Sequence, residues 1–127
     1  MKKFELTSEC IVKFGKTLYR IRALVAFGNV KEGELGGFLE KEENLSQDGN
    51  AWVCGTATVC GNATVRGDAW VYGNAIVSGN AKVSENATVS GTATVSGTAT
   101  VCGNATVSGD AWVYGNATVS GDAWVYG

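Results

Sequence analysis

The sequence predicts an all-β fold, a three-sided parallel β-helix with a small N-terminal β-rich cap. Three observations carry this. From Gly49 onward a six-residue unit, Gly-(Asn/Asp/Thr)-Ala-x-Val-x, recurs without insertion, with Gly in 13 of 14 positions, Ala in 13 of 13 and Val in 13 of 13. Proline is absent from the chain while Gly numbers 18. Residues 1–48 carry no such unit, as expected of the atypical end of a stacked array.

Each element follows from the residues. Ala-x-Val-x alternates with period two, so Ala and Val point to one side and the x residues to the other. The Gly-Asn, Gly-Asp or Gly-Thr step turns the chain, because Gly takes φ > 0 without a Cβ clash. A strand of four residues cannot bury a Val alone and must stack on another about 4.8 Å away. Three such sides close a coil of 18 residues, and residues 49–127 make roughly 4.4 coils. Each buried Val stabilises by about 1.5–3 kcal/mol, so thirteen hold the array together. Ala falls near the corner, where larger side chains do not fit. A helix would be broken by Gly-Asn every six residues, and hairpins of four-residue strands are marginal. Glu85 alone replaces a corner Gly.

The repeat, written Val-x-Gly-Asn-Ala-x, resembles the hexapeptide repeat of the left-handed parallel β-helix proteins. The left hand is implied by that resemblance and not by the spacing. Enzymes on this fold are acyltransferases with a histidine base or carbonic anhydrases with histidine-held zinc. This chain has no histidine, so neither role transfers to any position.

The first 48 residues form the expected cap of one folding unit. Ile11-Val12-Lys13-Phe14 and Thr17 to Leu24 read as a hairpin turning at Gly15-Lys16. Phe4-Glu5-Leu6 reads as a third strand, and Phe27 to Leu39 as a Gly-punctuated loop. The stretch from Asn29 to Gly33, then Gly36-Gly37-Phe38 and Leu45 to Gly49, is similar to the head of a group of bacterial and phage-borne hexapeptide proteins. Some of these are labelled transferases on fold similarity. At the other end Tyr126-Gly127 stops in mid-coil with no cap, so the expectation is either an open coil that pairs with another subunit or a piece of a longer array.

Net charge is −2, so no nucleic-acid partner is expected. Met1-Lys2-Lys3 is followed by no apolar run, and no stretch approaches the roughly 18–20 apolar residues of a membrane span. The expected compartment is the cytoplasm, with Cys10, Cys54, Cys60 and Cys102 as free thiols. No cofactor, metal site or catalytic residue is assigned. Asp68 and Asp122 share a corner with Asn86 and Asn104 and read as a corner ladder. Thr56-Ala57-Thr58, Thr92-Ala93-Thr94 and Thr98-Ala99-Thr100 resemble the face of some β-helical ice-binding proteins, but by the 18-residue rule they form no unbroken row.

The outward position before Val holds all four tryptophans. Stacking by 18 puts Trp52, Trp70 and Trp124 on one side with Thr88 and Thr106 between. Trp112 falls on a second side in line with Ile76, and Tyr72, Tyr114 and Tyr126 follow Trp70, Trp112 and Trp124. Exposed aromatics in rows point to an interface. The expected role is a non-catalytic structural or interaction module, phage- or prophage-encoded on the resemblance, acting as a homo-oligomer or on a partner protein. The contact residues are Trp52, Trp70, Tyr72, Trp112, Tyr114, Trp124 and Tyr126. Two alternatives stand beside it, an acyltransferase-like enzyme with a non-histidine or partner-supplied base, and a carbohydrate-binding aromatic strip.

Overall fold

The computed structural model describes residues 2–13 and 15–126. Met1, Phe14 of the expected hairpin and the last corner glycine, Gly127, lie outside the described residues. The chain is an all-β parallel solenoid with three sheets. The first side stacks Trp52–Val53, Trp70–Val71, Thr88–Val89, Thr106–Ser108 and Trp124–Tyr126. The second stacks Thr58–Val59, Ile76–Val77, Thr94–Val95 and Trp112–Val113, and the third Thr64–Val65, Lys82–Val83, Thr100–Val101 and Thr118–Val119. Pairing is by eighteen throughout, as in Trp70 with Thr88 and Thr94 with Trp112.

Most strands are two residues long where the alternation suggested four. The corner takes the rest. Ala57 N–H donates back to the Cys54 carbonyl at 3.3 Å, and Ala99 to Ser96 in the same way, so these Ala amides close the turn and do not enter the ladder. Gly97 shows why the corner needs glycine. Its φ is +70, and a Cβ there would lie 2.8 Å from the Gly115 nitrogen. Glu85 adopts the same conformation at φ +60 with a side chain attached, a cost of roughly 1–2 kcal/mol.

The interior is as the alternation requires from Ala51 to Val107, where every repeat Ala and Val is fully buried. The last coil departs from it. Ala117 and Ala123 are exposed and Val125 is half-buried, because no following coil covers them among the described residues.

Inter-coil hydrogen bonds alternate along the parallel ladder. At the outward positions they run to the later coil: Trp70 N–H donates to Ala87 O at 3.0 Å and Tyr72 N–H to Val89 O at 2.9 Å. The Gly, Ala and Val carbonyls of the first coil therefore need donors from the head. On the second side Phe38 N–H reaches Ala57 O (2.9 Å) and Glu40 N–H reaches Val59 O (3.1 Å). On the third, the buried Asn44 amide donates to Gly61 O (3.2 Å) and Ala63 O (2.8 Å), and Ser46 N–H to Val65 O (2.9 Å). At the first side the Lys3 ammonium donates to Gly49 O (3.3 Å) and Ala51 O (2.8 Å). Lys3 and Asn44 thus do the same task, each bridging a corner Gly carbonyl and the next Ala carbonyl.

Three expectations for the head change. Phe4–Leu6 is not a third strand but the start of β1 (Phe4–Lys13), bulged between Leu6 and Cys10 and paired with β2 (Lys16–Ala23). Leu35–Leu39 is not loop but β3, antiparallel to β2 and parallel to Thr58–Val59. Its glycines are needed for approach. A Cβ on Gly36 would stand 2.5 Å from Val53 O and 2.7 Å from the Trp52 ring, and one on Gly37 2.6 Å from Ala57 O. Finally, the winding starts before Gly49. Leu39 pairs with Val59 and Leu45 with Val65, an offset of twenty, whereas Val53 pairs with Val71 at eighteen. Two extra residues sit in the corner between Leu45 and Val53.

Two measurements check this account. Glu85→Gly relieves left-handed strain less the entropy of glycine, so urea unfolding should show a gain of about 0.5–1 kcal/mol, with Gly97→Ala losing about 1–2 kcal/mol or more. Burial lowers the Lys3 ammonium to about 8 against the pull of Asp48 and Asp68. The unfolded chain keeps this proton up to about 10.5, so between those values it binds more protons and stability rises with pH. Unfolding at pH 7 and pH 10 should show the wild-type chain gaining over Lys3→Met as pH rises; a flat difference rejects the assignment.

Candidate functional site

Outward side chains are sorted by the corner, the cap and the open end. At the corners, polar side chains bond along the stack. Asn86 donates to Asn104 at 3.3 Å and Asn104 to Asp122 at 3.1 Å, the ladder read from the sequence. Asp68 accepts instead from Asn50 N–H at 3.3 Å. The hydroxyls of Thr56, Thr92 and Thr98 are bound to Asn74, Asp110 and Asn116. Thr58 is wholly buried, so the Thr-Ala-Thr triplets present no common face.

The aromatic positions divide. Trp52, expected in the contact row, is fully buried under the head. Its ring meets Phe27 edge-on at 5.3 Å and Phe4 at 6.5 Å, and Lys3 Nζ lies 4.6 Å over the Phe27 ring. It is a cap residue because β3 and the N-terminal strand fold over the first coil, which spacing alone does not show. Trp70 is half-buried and Tyr72 exposed. Trp112, Tyr114, Trp124 and Tyr126 are 66–72% exposed. The side assignments hold: Trp70 and Trp124 share the first side, separated by Thr88 and Thr106, and Trp112 shares the second with Ile76.

The thiols are all free, but only Cys10 is exposed. Cys60 is buried with Leu18 and Phe38 against Ile11. Burial raises the Cys60 thiol, with Glu40 adding and Lys16 opposing, and burial followed by Glu34 raises Cys54. Raised thiols are poor nucleophiles at neutral pH. Among the described residues no group of three or more His, Cys, Asp or Glu is placed to hold a metal, and no helix is long and apolar enough to cross a membrane.

One concavity was not visible in the sequence. It has a volume of about 570 Å³ on the outer face of the second side, bounded by Lys16 of the hairpin, Cys60, Ile76, Ser78, Thr94, Ser96 and Trp112. The hairpin is held there by Glu40, which accepts from Gly61 N–H at 2.6 Å and pairs with Lys16 at 3.3 Å. These contacts, the Gly61 bond first, hold the Glu40 carboxyl below its ordinary value. The one signal in the sequence was Ile76, an aliphatic side chain in an outward column of Thr and Trp.

Residues 57–73, 69–85, 99–115 and 111–127 match the family described as YdcK Beta solenoid repeat. Each YdcK-type match starts on an interior Ala (57, 69, 99, 111), and all but the second, which ends on Glu85, end on a corner Gly. The matches cover less than half of the chain and none of the head. No curated protein matches the chain.

The burial difference between tryptophans has a direct consequence. Trp52→Ala should cost about 3–5 kcal/mol in urea unfolding, whereas Trp112→Ala should stay within about 0.5 kcal/mol.

Proposed function

We propose that the chain is a non-catalytic interaction module, bacterial or phage-borne and cytoplasmic, whose first side makes contact through Trp124 and Tyr126, with Tyr72 and Trp70 above them. The observation that supports this reading is the exposure of Trp124 and Tyr126 side by side on one strand. Large aromatics left in water are costly on a lone chain and are the residue types that anchor interfaces. Residues on the ladder are rigidly spaced, so a contact made there loses little freedom on binding. Oligomerisation is the form of contact to test first, with a partner protein as the other.

The acyltransferase-like alternative lacks support. It needs a base, histidine is absent, and the thiols of Cys54 and Cys60 are raised. A continuous sugar-binding strip along the first side is also disfavoured. Trp52 is buried, and Trp70 and Trp124 lie three rungs apart, about 14 Å.

The test is the mass in solution by sedimentation over a range of concentrations. An assembly larger than the monomer that falls to monomer in the Trp124→Ala, Tyr126→Ala double variant is expected. If both chains stay monomeric throughout, assembly through this face is wrong.

A further inference from the structure

We propose that the concavity on the second side binds a neutral, flat glycan, with pyranose rings lying between Trp112 and Lys16 of the hairpin. This site is separate from the first-side contact and does not rest on it. The outer face of the second side belongs to a seven-stranded sheet that runs from β1 to Trp112–Val113. Its upper part is sealed by Ile11, Leu18, Phe38 and Cys60. Below that seal the floor is mixed. One column presents Ile76, then Thr94, then the exposed indole of Trp112; beside it run Ser78 and Ser96. Ile76, Ser78, Thr94 and Ser96 are all half-buried.

That mixture selects among ligands. A purely apolar occupant would strip water from the three hydroxyls and return no hydrogen bond, a loss that counts against it. A charged occupant would find no free counter-charge among the lining groups, because Lys16 is already paired with Glu40. A sugar ring meets both demands. Its C–H face packs on an indole and on Ile76, and its rim of hydroxyls exchanges hydrogen bonds with Ser78, Thr94 and Ser96. Rungs about 4.8 Å apart give an extended chain repeated hydroxyl partners over a flat floor. The volume of about 570 Å³ falls within the range of about 300–1,000 Å³ typical of small-ligand sites. Equatorially linked chains are flattest, so β-1,4-linked glucose or N-acetylglucosamine oligomers are the class that fits.

The probes are cellohexaose and chitohexaose, titrated into the full chain by calorimetry and followed by tryptophan fluorescence. Saturable binding of at least one is expected. Trp112→Ala should weaken it about tenfold or more. Ile76→Lys should do the same, and the fold should survive because Lys82 occupies the equivalent outward position one side further on. Thermal melts of both variants should match the wild type, and Trp124→Ala should leave sugar affinity unchanged while changing the mass in solution if the first-side contact also holds. Binding of neither oligosaccharide overturns the proposal. So does binding that survives Trp112→Ala, or a fall in solution mass caused by Trp112→Ala, which would assign the concavity to a second copy of the chain.

Discussion

The set of carbonyls that the first coil leaves without donors governs this molecule. Outward amides such as those of Trp70 and Tyr72 give their protons to Ala and Val carbonyls of the following coil, so the corresponding carbonyls of the first coil begin without donors. Buried carbonyls without donors are costly. The head is built around that need. It supplies backbone amides from β3, a side-chain amide from Asn44 and an ammonium from Lys3. The burial of Trp52, the two glycines of β3 and the lowered Lys3 all follow from bringing those donors within reach.

The solenoid itself was legible because its constraints are local. Ala fits beside a corner, Val fills the interior and Gly takes a positive φ, so each residue states its own place. The eighteen-residue stacking, the three sides and the Asn86–Asn104–Asp122 ladder were all readable for that reason. The head was legible only as a cap. Gly36-Gly37 looks like loop punctuation, yet the glycines stand in a strand because Trp52 and Ala57 press against them. That is a tertiary requirement, and nothing near residue 36 in the chain announces it. Phe4–Leu6 was likewise split from the rest of β1 because the bulge at Leu6–Cys10 breaks the alternation.

The site was legible in part. The sequence placed Trp70, Tyr72, Trp112, Tyr114, Trp124 and Tyr126 on outward columns, and the structure leaves five of the six well exposed. It could not separate Trp52 from them, since the same hexad position is covered or bare according to what folds over it. Nor could it show the concavity, which exists because Glu40 ties the hairpin tip to the Gly61 corner. That contact joins residues far apart in the chain and has no periodic signature.

The unequal corner between Leu45 and Val53 has one more effect. An array of near-identical units is degenerate: a lid that fits the first layer would fit the next, and slippage by one layer would preserve most contacts. Here the connection is two residues longer than any hexad, and the head pairs at an offset of twenty where the coils pair at eighteen. The head therefore keeps a phase of its own, set apart from the column of side chains beneath by that one irregular bend.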